Sequence, residues 1–140
     1  MIMPVIILII FGLVDLARLM QAHVTIQEGA RDGARYAITG RIDCTTPLVQ
    51  NRENCIKQTV ADRTSKLHNK ASLVASFKSW DFPLYTDPAA VNSAGQQCDA
   101  IEVDVAYDYQ PITPIFNFFI GHVPMHASER MVNEPFGTCS

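Results

Sequence analysis

The hydrophobic pattern changes where the first charge appears. Met1 to Val14 reads MIMPVIILIIFGLV, without one charged side chain and apolar on every side of a helix drawn through it. A helix that is apolar all round belongs in lipid or among other helices, because no side of it suits water. As a helix, fourteen residues span only about 21 Å, short of the roughly 30 Å hydrocarbon core of a bilayer. Extending to Met20 reaches about 30 Å and takes in Asp15 and Arg18. These two are three apart, on one helix face, where they can pair with each other. A carboxylate at mid-bilayer costs on the order of 2.5–3.5 kcal/mol, less near an interface. Ten or so Ile, Leu, Val and Phe side chains, at about −0.3 to −0.6 kcal/mol each, outweigh it. The segment can insert, but it makes an uncomfortable permanent anchor. It has no basic start and no A-x-A site, so it does not read as a cleaved secretory signal.

The helical pattern continues past Met20. Gln21 to Ile38 contains no proline, and Thr39-Gly40 supplies the stop. One rod of about 50 Å is predicted from Pro4 to Ile38. Within it Gly29, Gly33 and Ala37 recur at i, i+4, i+8, beside Ala30 and Ala34. Two interior glycines cost roughly 1 kcal/mol each relative to alanine, so a backbone must approach closely there. That backbone is either a neighbouring helix or the sheet of the same chain. Glu28, Arg31, Asp32 and Arg35 keep the other surface wet.

Downstream, Arg41 to Leu48 reads as a loop, and Pro47 to about His68 as a second helix with Thr46 as its cap. Leu48, Ile56, Val60, Arg63 and Leu67 recur near its period. Ser72 to Trp80 alternates as a strand, and Asp81 to Gln97, with its prolines and Gly95, is a loop. Ile101 to Tyr109 is the cleanest strand: Ile101, Val103, Val105, Tyr107 and Tyr109 face one way, Glu102, Asp104 and Asp108 the other. Pro111 to Gly121 (PITPIFNFFIG) is a short apolar turn or lid, whose Ile115, Phe116, Phe118, Phe119 and Ile120 are expected to close the edge of a core. His122 to Pro135 forms the last strand, with Met125, Ala127 and Met131 on one face. The fold class is α+β: a long N-terminal helix (1–38) and a small globular head (39–140), in which an antiparallel sheet of about three strands packs on helices.

Net charge is −3 with a pI near 5.7, so no basic field invites nucleic acid. Cys44, Cys55, Cys98 and Cys139 all lie downstream of the apolar start, with no C-x-x-C pair or histidine spacing to suggest zinc. Their even number beside a membrane-type segment points to disulfides and an oxidising compartment. Four cysteines allow three pairings. Cys44–Cys55 is expected because the two bracket the start of the second helix, and Cys98–Cys139 because it would pin the C-terminal tail.

No chemistry stands out. Glu102, Asp104 and Asp108, with Asp99 nearby, have the period of a solvated sheet face. His122 and His126 would lie about 13 Å apart on one strand, too far for one metal. Ser128 lies outside any G-x-S-x-G elbow, and Gly29-x-x-x-Gly33 is mid-helix and not a phosphate loop. No catalytic, cofactor-binding or metal-binding residue is assigned.

The blocks MPVIILIIFGLVDLARLM, QEGARDGARYA, VDVAYDYQPITPIF and HASERMVNE, in that order, resemble the TadE-like family of pilin-related proteins, from the tight-adherence branch of type IV pilus systems. Residues 41–97 match nothing in that pattern. Family prepilins carry a basic leader, a peptidase site and a glutamate shortly before the proline; none of these precedes Pro4, so no cleavage site is carried over. Asp15 and Arg18 fall on the family's acidic and arginine positions and are expected to make polar contacts within or between helices. The resemblance implies a non-enzymatic subunit, held in the inner membrane and then packed into an extracellular filament with itself or other pilins by a pilus machine. Ile6, Ile7, Ile10, Phe11 and Val14 would then face equivalent helices, with Gly29, Gly33 and Ala37 as a second contact stripe. The alternative is a membrane-tethered minor subunit or binding module.

Overall fold

A single helix, α1 (Met3–Ile38), runs 36 residues without a break. Pro4 sits in its first turn, where a missing N–H leaves nothing unpaired. Thr39 and Gly40 close its end, donating to the carbonyls of Tyr36 and Ala37, with Gly40 at φ 64°. The computed structural model describes residues 2–44, 51–86, 90–135 and 139, except the side chains of residues 115, 116 and 119.

The second half of α1 is the spine of the head. Ala22, Ile26, Gly29, Ala30, Gly33, Ala34 and Ala37 are buried against helix α2 (Arg52–Arg63) and an antiparallel sheet. The sheet holds β1 (Val74–Trp80), β2 (Ala90–Val91), β3 (Ala100–Tyr109) and β4 (Val123–Val132) in the order β2-β1-β3-β4. A short helix, α3 (Pro114–Ile120), joins β3 to β4. The inner face carries Phe77, Ile101, Val103, Val105, Tyr107, Tyr109, Met125 and Ala127, all buried, as strict alternation requires. Strand β2 lies inside the stretch expected to be loop. At two residues it is too short to show any alternation.

The second helix differs from the expectation. It begins at Arg52, not Pro47, because Asn51 is extended at φ −116°, ψ 137°. Thr46, Pro47 and Leu48 lie outside the described residues. The helix ends at Arg63 and a 3₁₀ turn follows over Thr64–Lys66, with Ile56, Val60 and Leu67 buried.

The small stripe of α1 is occupied from within the chain. A Cβ on Gly33 would stand 2.6 Å from Val60 Cγ2 and 3.3 Å from Val103 Cγ1; on Gly29 it would stand 2.9 Å from Thr64 Cγ2. Ala37 is fully buried. The close neighbours of the two glycines within the chain are therefore α2, the turn that follows it and β3.

At the far end of the sheet, Arg52 holds three elements together. Its Nε and Nη2 donate to the Ala37 carbonyl at the end of α1, Nη1 to the Gly95 carbonyl (2.9 Å), and Nη2 also to Asn133 Oδ1 (2.9 Å). Asn133, 1% exposed, donates in turn to the Ala94 and Gln96 carbonyls. Burial lowers the Arg52 pKa from its ordinary value and the charge of Asp99 opposes that. Two disulfides flank this cluster, Cys44–Cys55 and Cys98–Cys139. The second closes a 41-residue separation against 11 for the first, and constrains the unfolded chain more, by roughly 4 against roughly 3 kcal/mol in the loop-entropy account.

Gly33→Leu is expected to overpack the α1–α2 contact and cost about 3 kcal/mol. Thermal unfolding of the full chain in micelles, followed by near-UV circular dichroism, reads this directly. An unchanged melting temperature with lost assembly would return the stripe to contacts between subunits.

Candidate assembly surface

Every large apolar side chain from Ile2 to Val14 is exposed. Ile6, Ile7, Ile10, Phe11 and Val14 occupy one side of α1; Val5, Leu8, Ile9 and Leu13 fill the other. This belt has no polar side. It makes α1 long and apolar enough to cross a membrane, and its all-round character calls for an enclosing apolar medium. Beyond Asp15 the belt narrows to one stripe facing away from the head, where Leu16, Met20 and Val24 stay exposed at intervals of four.

Asp15 is where the head takes hold of the helix. It is 9% exposed, and its partners come from the turn between β3 and α3. The backbone N–H of Ile112 donates to Oδ1 and that of Thr113 to Oδ2, each at 3.3 Å. The Thr113 hydroxyl also donates to Oδ2, and Tyr109 Oη donates to the Asp15 carbonyl at 3.2 Å. The expected polar contacts of Asp15 are thus made, within this chain, to the turn after β3. Arg18, one turn away, is exposed and lines a groove of about 680 Å³ with Glu28, Asp62, Arg63, Lys66 and His68. Arg63 is itself engaged by Asp32. The groove mixes both signs of charge.

The remaining candidates are structural or lie on the wet face. Glu102 stands in register between Lys78 and Arg130 and is matched in charge across both strands, whereas Asp104 stands between Ser76 and Ser128 and Asp108 opposite Pro124. Asp99 is buried and accepts from the N–H groups of Phe82 and Gln96, holding the loop before β3. His122 precedes β4 and His126 lies within it, neither of them buried. Ser128 is exposed on β4. Of the five side chains expected to close the core after β3, Phe118 and Ile120 are exposed instead, Phe118 by 86%, as is Ile112; those of Ile115, Phe116 and Phe119 lie outside the described residues. The inner face is already covered by α1 and α2, and the turn is held at Asp15. Arg52, the most heavily bonded cation among the described residues, carries no signal in the sequence, because a polar helix position gives no sign of its distant acceptors.

Removing the Asp15 carboxylate should release the turn. For Asp15→Ala, the amides of Ile112 and Thr113 should lose protection from hydrogen exchange while β3 keeps its own, at a cost of roughly 3 kcal/mol. Unchanged protection at both amides would show the turn held by other means. A pH effect follows from Tyr109, whose hydroxyl is pushed above its ordinary pKa first by burial and then by the Asp15 charge, against Arg18. A folded-state pKa above the unfolded value means the contribution is complete below about pH 10 and is lost as pH rises through the folded value. Tyr109→Phe should flatten part of this alkaline limb in a pH series of melting curves. Tyr107, also raised chiefly by burial, contributes to what remains.

Comparison with known proteins places the first part of the molecule. Residues 1–35 match the family model described as TadE-like protein. Comparison with curated proteins and with solved structures finds no match. The matched segment is the apolar belt, Asp15 and the glycine stripe, all on α1, and in this segment the chain is similar to the TadE-like family.

Proposed function

We propose that this chain is a structural subunit of a Tad-type pilus or pilus-like extracellular filament, and carries no catalytic activity. It resides first in the inner membrane through the apolar half of α1. The pilus machinery then draws it into a polymer of itself or of itself with other pilins. The observation carrying this reading is the belt from Ile2 to Val14, exposed on every side of a helix whose other half is locked into the head. A simple anchor needs no such rigid continuation, whereas a polymer uses it to set each head at a fixed place around a shared core. The transfer from lipid to that core gains little hydrophobic free energy, because lipid tails are as apolar as leucine. Helix packing and an external motor must supply the drive. Ile6, Ile7, Ile10, Phe11 and Val14 line one side of the packing surface.

One observation favours a second reading. Asp15 finds its partners inside its own chain, so the helix does not need a neighbour to satisfy it, as suits a tethered minor subunit that primes or caps a pilus.

Immunogold labelling of filaments sheared from cells expressing the full chain with its assembly machinery separates the two. Label spaced along the whole shaft is the expected outcome. Label at tips only, or confined to the membrane fraction, would overturn the shaft reading in favour of the minor subunit. Ile10→Arg should abolish shaft incorporation while leaving the head's melting transition in place.

A further inference from the structure

We propose that the turn and helix between β3 and β4 form a lipid-interface element, seated in the headgroup region of the bilayer beside the point where α1 enters it. This rests on the reading of α1 as membrane-borne before assembly, and adds a second contact site for the same membrane. Three observations carry it. The Asp15 hydrogen bonds fix Ile112 and Thr113 against α1 at the end of the apolar belt, so the exposed Ile112, Phe118 and Ile120 belong to the same end of the head as that belt. An exposed apolar cluster continuous with a membrane helix marks a membrane contact more readily than a solvated surface.

The second observation is the outward stripe. Leu16, Met20 and Val24 stay exposed beyond the belt and carry the apolar side of α1 about 15 Å past Val14. A bilayer that surrounds the belt thus finds an apolar helix side at the level of Asp15 and beyond it.

The third observation is what happens to the charge at that level. A lipid-facing carboxylate there would be costly, yet Asp15 is 9% exposed and hydrogen-bonded on its head side. The turn shields the carboxylate and itself presents apolar side chains outward, so the two features make one device. Side chains of this kind settle about 5–10 Å into the boundary between headgroups and acyl chains.

Tryptophan fluorescence in phosphatidylcholine vesicles brominated at shallow or at deep acyl positions tests this on the full chain. The native Trp80 gives a constant baseline, because it lies under Arg130 (3.9 Å to the ring) at the opposite end of the sheet from Tyr109. Phe118→Trp, with Ile120→Trp as a second reporter, should add fluorescence that shallow bromines quench by more than half. Ile9→Trp should be quenched by deep bromines, and Leu84→Trp, in the exposed loop after β1, by neither. If the Ile9→Trp reporter is quenched and the two reporters on α3 are not, the interface element is overturned while the membrane helix stands. If the Phe118→Trp reporter is unquenched in vesicles but shifts to the blue in filaments, its partner is a neighbouring copy, which also overturns the element. If the Ile9→Trp reporter is unquenched as well, the membrane reading itself falls and takes this inference with it.

Discussion

A carboxylate one residue past the end of a fully apolar rod must find its hydrogen bonds somewhere, and where it finds them decides how the rest of the molecule is arranged. Asp15 takes them from two backbone amides and a hydroxyl on the turn after β3. That turn can reach α1 only if β3 runs back along the helix toward its N-terminal half. Tyr109 then arrives at Asp15, Val103 lies against Gly33, and the start of β3 comes level with the end of α1. The distances agree: Asp15 to Ala37 is about 33 Å of helix, and Ala100 to Tyr109 is about 30 Å of strand.

The far end is closed by different chemistry. There Arg52, Asn133 and the N–H of Glu134, which donates to the Ile38 carbonyl at 3.2 Å, gather at the terminal carbonyls of α1, which have no partner within the helix. Charge-assisted hydrogen bonds of this kind are among the stronger ones available to a small domain. Between the two ends the contact is made by small residues, and α2 approaches closely because Gly29 and Gly33 leave it room. The glycines weaken the helix locally and allow the packing that holds it.

Much of this is legible in the sequence, for identifiable reasons. The long helix announces itself because nothing between Pro4 and Gly40 interrupts it, and β3 because five apolar residues alternate with acidic and small ones. The disulfide partners follow from where each cysteine stands relative to the elements. What stays hidden are long-range partners. Asp15 binds backbone N–H groups 97 and 98 residues away, and an N–H carries no mark in a sequence. A small-residue stripe has the same pattern whether its partner is Val60 of the same chain or a helix of another. Phe118 and Ile120 read as core because composition cannot tell a buried side chain from one turned outward. The onset of α2 reads too early because Thr46-Pro47 has the form of a helix start, while Asn51 remains extended.

The near-parallel course of α1 and β3 has a mechanical consequence. Traction applied to the head and resisted at the apolar end of α1 runs along the strands and not across them. In an antiparallel ladder the hydrogen bonds lie perpendicular to the strands, so such a load is shared by the whole ladder in shear and does not unzip it one rung at a time. The Cys98–Cys139 bridge ties the C-terminal tail to the loop entering β3, so a pull on that tail passes into the base of the central strand without first peeling β4 away. Strand direction, set by the need to bring one turn down to Asp15, thus also sets how the subunit bears tension.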